Sequence, residues 1–220
     1  MALVLRVTWA IVLQGMVGSL VMLPSKEGEP MTTTMTGADA LMTMRACHSR
    51  LVDEVQARVA ALRKTVATDG SYSAQAAELA SFLFDEVLPH AAAEELTVYR
   101  SASSRSALAP ALKEMAEEHR RLASLAQALA GASDGPGALL AAEQVSALLE
   151  GHLDREDGQL LARLYDEGRV DLPQLVIDVR YATNRIRSEP AAGAEGPFGS
   201  AWVPRSPRRE AVHKRAATSA

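Results

Sequence analysis

The sequence predicts an all-α protein: an up-down-up-down four-helix bundle with a short extra C-terminal helix and a disordered tail. Of the 220 residues, 48% are hydrophobic but only 4% are aromatic, so Ala, Leu, Val and Met must form the core, and this composition favours helices over strands. Apolar residues recur every three or four positions along four long segments, as in helices that bury one face. The connections between these segments are short, which favours antiparallel packing of consecutive helices.

The first helix is predicted over 38–68, and the second runs from an N-cap at Ser71 or Ser73 to about Tyr99. The first should bury one continuous stripe, formed by Leu41, Met44, His48, Leu51, Val55, Val59 and Leu62. Pro89 lies inside the second helix, where it is expected to kink the helix or to free a backbone carbonyl.

The third and fourth helices are predicted over 106–130 and 136–168, which completes a bundle domain at 38–167. Their inner faces should be formed by Leu108, Leu112, Met115, His119, Leu122, Leu125 and Leu129 in the third helix, and by Leu148, His152, Glu156, Leu160 and Leu164 in the fourth. A fifth helix is expected over 173–187, with an apolar side formed by Leu175, Val176, Val179 and Ile186. Residues 188–220 are rich in Pro, Gly, Ala and Arg, and we predict that they are disordered.

The N-terminal segment 1–30 allows several interpretations. Residues 7–23 contain no charged side chain, and their length is borderline for a helix that must span a bilayer. The preferred interpretation is that translation begins later, at Met31, Met35 or Met42. A membrane anchor, a secretory signal and an ordinary extra helix are the alternatives, which the sequence leaves open.

Composition and motifs exclude several classes of function. The net charge of −4 argues against a nucleic-acid-binding surface. The single cysteine, Cys47, excludes an internal disulfide and a multi-thiolate metal site, and it fits a reducing compartment, so we expect a cytoplasmic protein. The chain also has no Gly-rich phosphate loop, no serine nucleophile elbow and no His-Glu-x-x-His zinc motif.

The same histidine and glutamate pattern occurs twice in this chain. A histidine is followed, well downstream, by a His-x-x-x-Glu pair, and each histidine lies on the predicted buried face of a different helix. A spacing of four along a helix places the imidazole and the carboxylate on the same side. The predicted metal site therefore consists of His48, His90, Glu94, His119, His152 and Glu156.

Six ligands are too many for one tetrahedral zinc ion and suit two cations. We expect Glu94 and Glu156 to bridge the cations, with two histidines on each. Imidazole suits iron, zinc, copper and nickel, and carboxylate adds a preference for harder ions.

Simpler explanations exist for each pair. A lone histidine on an apolar helix face is more often a hydrogen-bonded core residue, and His90 with Glu94 also fits a surface ion pair. The three alanines between them favour a crowded interior instead. For His152 with Glu156, the neighbours Asp154, Arg155 and Asp157 look solvated, which makes a surface ion pair a stronger alternative there. The occurrence of one such histidine on each of four helices nevertheless favours a metal site.

These residues resemble the motifs of the hemerythrin-like, HHE cation-binding family. The similar segments are His48, His90-Ala-Ala-Ala-Glu94-Glu95, Glu118-His119 and His152-Leu-Asp-Arg-Glu156-Asp157, within about 38–167. The resemblance implies a left-handed four-helix bundle with two iron ions in a non-heme di-iron centre that reacts with O2, NO or peroxide, other divalent metals being alternatives.

The chain departs from the oxygen-carrying hemerythrins, which use five histidines with a His-x-x-x-His pair on the third helix. Here Met115 and Ala123 stand four residues before and after His119. The centre would have four histidines, and we do not expect reversible O2 transport. Ferritin-like bundles place a glutamate three residues before histidine. None of the four histidines has one: Arg45, Val87, Ala116 and Leu149 occupy these positions.

Three acidic residues, Glu95, Glu118 and Asp157, directly adjoin predicted ligands. An adjacent helical residue points about 100° away, so we expect these carboxylates outside the ligand set or at the surface. Tyr99 is a candidate hydrogen-bond donor to the centre, with apolar packing as the alternative.

The resulting hypothesis is a small cytoplasmic di-iron protein that binds or senses O2, NO or peroxide, or buffers iron. One alternative is an enzyme in which the same centre consumes peroxide or uses O2 as an oxidant. A second is a metal-free helical interaction module, tethered to a membrane if residues 7–23 are an anchor. The sequence predicts no oligomeric state.

Overall fold

A computed structural model describes residues 34–68 and 70–188 of this chain. Helix α1 spans Gly37–Ala67, and α2 is continuous over five consecutive segments, Ser73–Phe82, Leu83–Val87, Leu88–Glu94, Glu95–Tyr99 and Arg100–Ala102. A 3-10 turn at Ser106–Leu108 leads into α3, Ala109–Ala130. Helix α4 consists of Gly135–Arg155, Glu156–Leu161 and Ala162–Glu167, and α5 spans Leu172–Ser188. The described part of the chain contains no strand.

The first four helices form a bundle in which α2 and α4 also contact each other. Helix α1 packs against α2 and α4, and α3 packs against the same two helices from the opposite side. Because the connections are short, consecutive helices run in opposite directions. Helix α5 packs outside this ring, against α1 and α2. The predicted all-α bundle with an extra C-terminal helix is therefore confirmed.

The predicted inner stripes are mostly correct, but alanine replaces several of the expected large residues. In α1, Ala40 is buried, whereas Leu41 is half-buried. Five other residues expected on inner faces are also half-buried: Leu112, Leu125, Leu148, Val176 and Ile186. Alanines fill part of the buried core instead, among them Ala123, Ala126, Ala138 and Ala142. Their small side chains let the helix axes approach and leave the longer leucines at the edge of the interface.

Pro89 does not interrupt α2. A π-helical turn, Leu83–Val87, precedes it, and the Leu88 N–H donates to the Leu83 carbonyl, five residues back. This wider turn leaves room for the proline ring, which in a regular α-helix clashes with the carbonyl four residues earlier. The expected disturbance of the backbone is thus absorbed by a π turn, and the helix continues directly into His90 and Glu94.

Several expectations concern residues outside the described ranges. These expectations are the interpretations of segment 1–30 and the disorder of residues 189–220. Ser188, the first residue of the predicted tail, is described, and it is the last residue of α5. Within 34–68 and 70–188, no helix combines the length and apolar character that crossing a membrane requires.

Candidate metal centre

All six predicted ligands are buried inside the bundle. The exposed fraction is 6% for His90 and at most 1% for each of the others. Helix α1 supplies His48, α2 supplies His90 and Glu94, α3 supplies His119, and α4 supplies His152 and Glu156. The burial of the pair on α4 agrees with its predicted place on the inner face and excludes the simpler explanation of a solvated ion pair.

The first group of potential ligand atoms comes from α1 and α2. One carboxylate oxygen of Glu94, Oε1, lies 3.0 Å from His48 Nε2 and 2.9 Å from His90 Nε2. The two imidazole rings stand edge to face, with centroids 5.3 Å apart. Two nitrogen donors and one oxygen therefore converge on a single small volume.

The second group combines Glu94 with histidines of α3 and α4. His119 Nε2 and His152 Nε2 are 2.9 Å apart, and potential ligand atoms of all three residues lie within 4.8 Å of one another. Glu94 belongs to both groups. A carboxylate has two oxygens, so Glu94 can offer a ligand atom to each of the two groups.

Glu156 lies beside the second group rather than inside either one. Its Oε2 is 3.7 Å from His152 Nε2, and neither of its oxygens has a hydrogen-bond partner among the described residues. Burial and the nearby negative charge of Glu94 raise the pKa of Glu156 well above its usual value. His90 Nε2 also makes no hydrogen bond within the described part of the chain, despite its proximity to Glu94. Buried lone pairs of this kind are costly unless a cation coordinates them, so the residues present fit a metal.

Three carboxylates surround the histidines and hydrogen-bond to the ring nitrogens that face away from the centre. His48 Nδ1 lies 2.7 Å from Asp157 Oδ1. His119 Nδ1 lies 2.9 Å from Glu95 Oε1, and His152 Nδ1 lies 2.8 Å from Glu118 Oε2. In a neutral imidazole, a carboxylate at Nδ1 holds the proton there and leaves the Nε2 lone pair directed inward, as in known metal-binding histidines. The acidic neighbours are thus outer partners, consistent with the angular argument from sequence.

The charges at the centre depend on burial and on these carboxylates. Burial opposes a charge on His48, but hydrogen bonds to Asp157 and Glu94 raise its pKa well above the usual value. Burial would raise the pKa of Glu94, yet the charge of His90 and the hydrogen bond with His48 hold it well below normal. Burial and the charge of His119 lower the pKa of His152 to about 4. His152 is therefore neutral near pH 7, the form that coordinates a metal.

Two arginines that sequence patterns did not reveal contact the residues that supply the outer carboxylates. The Arg155 guanidinium pairs with Glu118, and Arg45 Nη2 donates to the backbone carbonyl of Asp157 at 3.1 Å. These contacts join α4 to α3 and to α1. Helical spacing cannot reveal them, because they depend on how the helices are aligned along the bundle.

We expect Glu118→Gln to weaken metal binding without unfolding the bundle. The neutral amide loses the negative charge that accepts the hydrogen bond from His152 Nδ1 and pairs with Arg155. Loss of such an outer partner lowers metal affinity by about 10- to 100-fold. Competition with a chromophoric chelator measures this affinity. Glu117→Gln is the matched control, because the neighbouring Glu117 is exposed and pairs with Arg120. Equal affinities for both variants would contradict a role for Glu118 in orienting His152.

Comparison with known proteins gives one match. No curated protein and no solved structure matches the chain. Residues 39–164 match the family model described as the hemerythrin HHE cation binding domain, which covers more than half of the 220 residues and includes all six buried histidines and glutamates. The chain therefore belongs to the hemerythrin HHE cation-binding domain family.

Proposed function

We propose that this protein holds two iron ions between helices α1–α4 and uses them to bind or sense O2, NO or peroxide, or to buffer iron. The observation that carries the proposal is the sharing of Glu94 between two groups of buried ligands, His48 with His90 and His119 with His152. Family membership supports cation binding, and the mixture of imidazole with carboxylate supports iron. Bound iron would supply open coordination positions and a redox couple.

The protein's own residues would bind the cations, orient the imidazole rings and shield the centre from bulk water. Four imidazoles and two carboxylates supply the ligand atoms, and Asp157, Glu95 and Glu118 fix the orientation of three of the rings. The ligands are almost completely buried, which limits access to small molecules such as diatomics and peroxide. Size selection of this kind favours binding or sensing of a small ligand over chemistry on a large substrate.

Tyr99 provides a hydrogen-bond donor at the centre. Its hydroxyl lies 3.4 Å from His119 Nε2, and its ring stacks on that imidazole with centroids 5.5 Å apart. Burial and the surrounding carboxylate charges raise the pKa of Tyr99 strongly, so the hydroxyl keeps its proton at physiological pH. With the inward nitrogen of His119 engaged by a cation, this proton is available to a small ligand bound nearby.

We expect Tyr99→Phe to retain iron but to bind a small ligand more weakly. Loss of one hydrogen bond, about 1 kcal/mol, corresponds to roughly a fivefold lower affinity. Titration of the iron-loaded protein with NO or azide, followed by absorption, measures the change. Tyr165→Phe is the control, since Tyr165 is an exposed residue of α4. An unchanged affinity, or loss of iron from the Tyr99 variant, would contradict this assignment.

The decisive experiment is elemental analysis of the protein purified from iron-replete cells, together with its near-ultraviolet spectrum and its melting temperature before and after chelation. About two irons per chain and a chelator-dependent melting temperature support the proposal. Absence of metal and an unchanged melting temperature would support a metal-free interaction module. Sustained peroxide consumption by the loaded protein would indicate an enzyme, whereas a stable adduct without turnover supports binding or sensing.

A further inference from the structure

Helix α5 lies outside the family match, which ends at residue 164, yet it covers the part of α2 that carries two ligands. All eight residues from Val87 to Glu94 are buried, including the three consecutive alanines at 91–93. A helix in a four-helix bundle normally leaves its outer face in water. Here α5 packs on Leu88–Glu94 and on Glu95–Tyr99, and this additional contact explains why α2 has no exposed face at this level.

The position of α5 relates it to one half of the centre. It also packs against α1, so it lies along the two helices that carry His48, His90 and Glu94, the first ligand group. Its buried face is formed by Leu172, Leu175, Val179 and Thr183. Near its C-terminal end, Arg187 forms an ion pair with Glu86 of α2.

The segment under α5 is flanked by irregular helix on both sides. Leu88–Glu94 lies between two π-helical turns, Leu83–Val87 and Glu95–Tyr99. Because the regular α-helical hydrogen-bond pattern is interrupted at both ends, the packing around the segment contributes to its placement. The segment is packed between the bundle core on one side and α5 on the other. This packing would hold His90 and Glu94 at a fixed distance from His48.

We propose that α5 is a positioning element of the metal centre. It clamps the segment of α2 that carries His90 and Glu94 against α1, and it thereby slows loss of the cation from the first ligand group. This inference rests on the proposed function, because it requires that a cation is bound. His90 is the most exposed of the six ligands at 6%, and it lies on the segment of α2 that α5 packs against.

The test compares metal release from three variants of the full chain. Val179→Asp places a charge in the buried face of α5, whereas Ile177→Asp places the same charge at a position of the same helix that is 53% exposed. Val179→Ile keeps an apolar side chain at the same buried position and serves as the conservative control. Each iron-loaded protein is mixed with excess chelator, and the rate of metal loss is followed together with the melting temperature of the loaded and the chelated forms.

We expect Val179→Asp to release iron at least about tenfold faster than the wild type and to lose most of the increase in melting temperature that iron confers. Ile177→Asp and Val179→Ile should release iron within about twofold of the wild-type rate. If Val179→Asp fails to fold, Val179→Ala replaces it, with an expected release about threefold faster because it loosens the contact without adding charge.

Two results must be distinguished. If Val179→Asp, or Val179→Ala in its place, lowers the melting temperatures of the loaded and the metal-free protein equally and leaves the release rate unchanged, α5 is only a structural support and the inference is overturned. If the wild type itself binds no metal, the proposed function fails, which is a different outcome because it is seen before any variant is compared.

Discussion

Glu94→Ala is expected to abolish binding of both cations, leaving less than about one-tenth of the wild-type metal content. The carboxylate of Glu94 is common to the two ligand groups, so its removal takes a donor from each. His48 Nε2 and His90 Nε2 also lose the oxygen that lies about 3 Å away. Metal per chain, determined by elemental analysis, and the effect of a chelator on the melting temperature are the two measurements.

Glu78→Ala is the control for this change, because Glu78 is an exposed glutamate of the same helix. The control should keep the wild-type metal content and its response to chelator. A Glu94→Ala protein that retains full metal and a chelator-dependent melting temperature would show that Glu94 is not the shared ligand. Loss of only about half of the metal would mean that Glu94 serves one cation and not both.

The convergence of ligands onto one centre was predictable from sequence because it depends on periodicity. His48 and His119 each lie on an apolar stripe, and His90 and His152 each have a glutamate one turn later. In an antiparallel bundle all four stripes face the same axis, so burial of these residues follows from the fold class alone. The structure brings them together as expected, and their action as ligands remains a prediction.

The different roles of the two glutamates could not be predicted from sequence. Both occur in the same His-x-x-x-Glu pattern, yet Glu94 contacts His48 of another helix, whereas Glu156 has no hydrogen-bond partner among the residues described. The difference arises from the axial alignment of the helices and from local backbone geometry: Glu94 ends a regular α-helical segment, and Glu156 begins a π turn. Neither property is encoded in a spacing of four residues.

Alanine limited the prediction of the core for a related reason. Hydrophobic periodicity gives most weight to large residues, so Leu41 and Leu125 were assigned to inner faces that Ala40 and Ala126 occupy. Small side chains let helices pack closely, so alanine occupies buried positions that the search for large apolar residues assigns to leucine. The three alanines at 91–93 are buried, as the crowded interior predicts, but the sequence gives no sign that α5 packs on the segment that contains them.

Glu156→Met is expected to change stability in opposite directions in the two forms of the protein. In the metal-free form it removes two buried oxygens that have no partner within the described ranges, which should increase the free energy of unfolding by about 1–3 kcal/mol. In the metal-loaded form it removes a candidate ligand, so metal affinity and the stability gained from metal should both fall. Denaturant unfolding with and without chelator measures the two effects, with Glu150→Met, at an exposed position of α4, as the control.

The pH dependence of the metal-free protein provides an independent check on Glu156. Because burial raises its pKa in the folded state, the unfolded carboxyl ionises first as the pH rises above the ordinary value of 4.5, and the folded state then binds more protons. The contribution of Glu156 to the stability of the wild type therefore falls over this range as far as the raised pKa, and methionine removes that loss. The stability difference between Glu156→Met and the wild type should be smallest near pH 4 and should widen toward neutral pH. A difference that is constant with pH, or that narrows, would mean that Glu156 is ionised and satisfied in the folded protein, and the case for a cation beside it would lose its main electrostatic support.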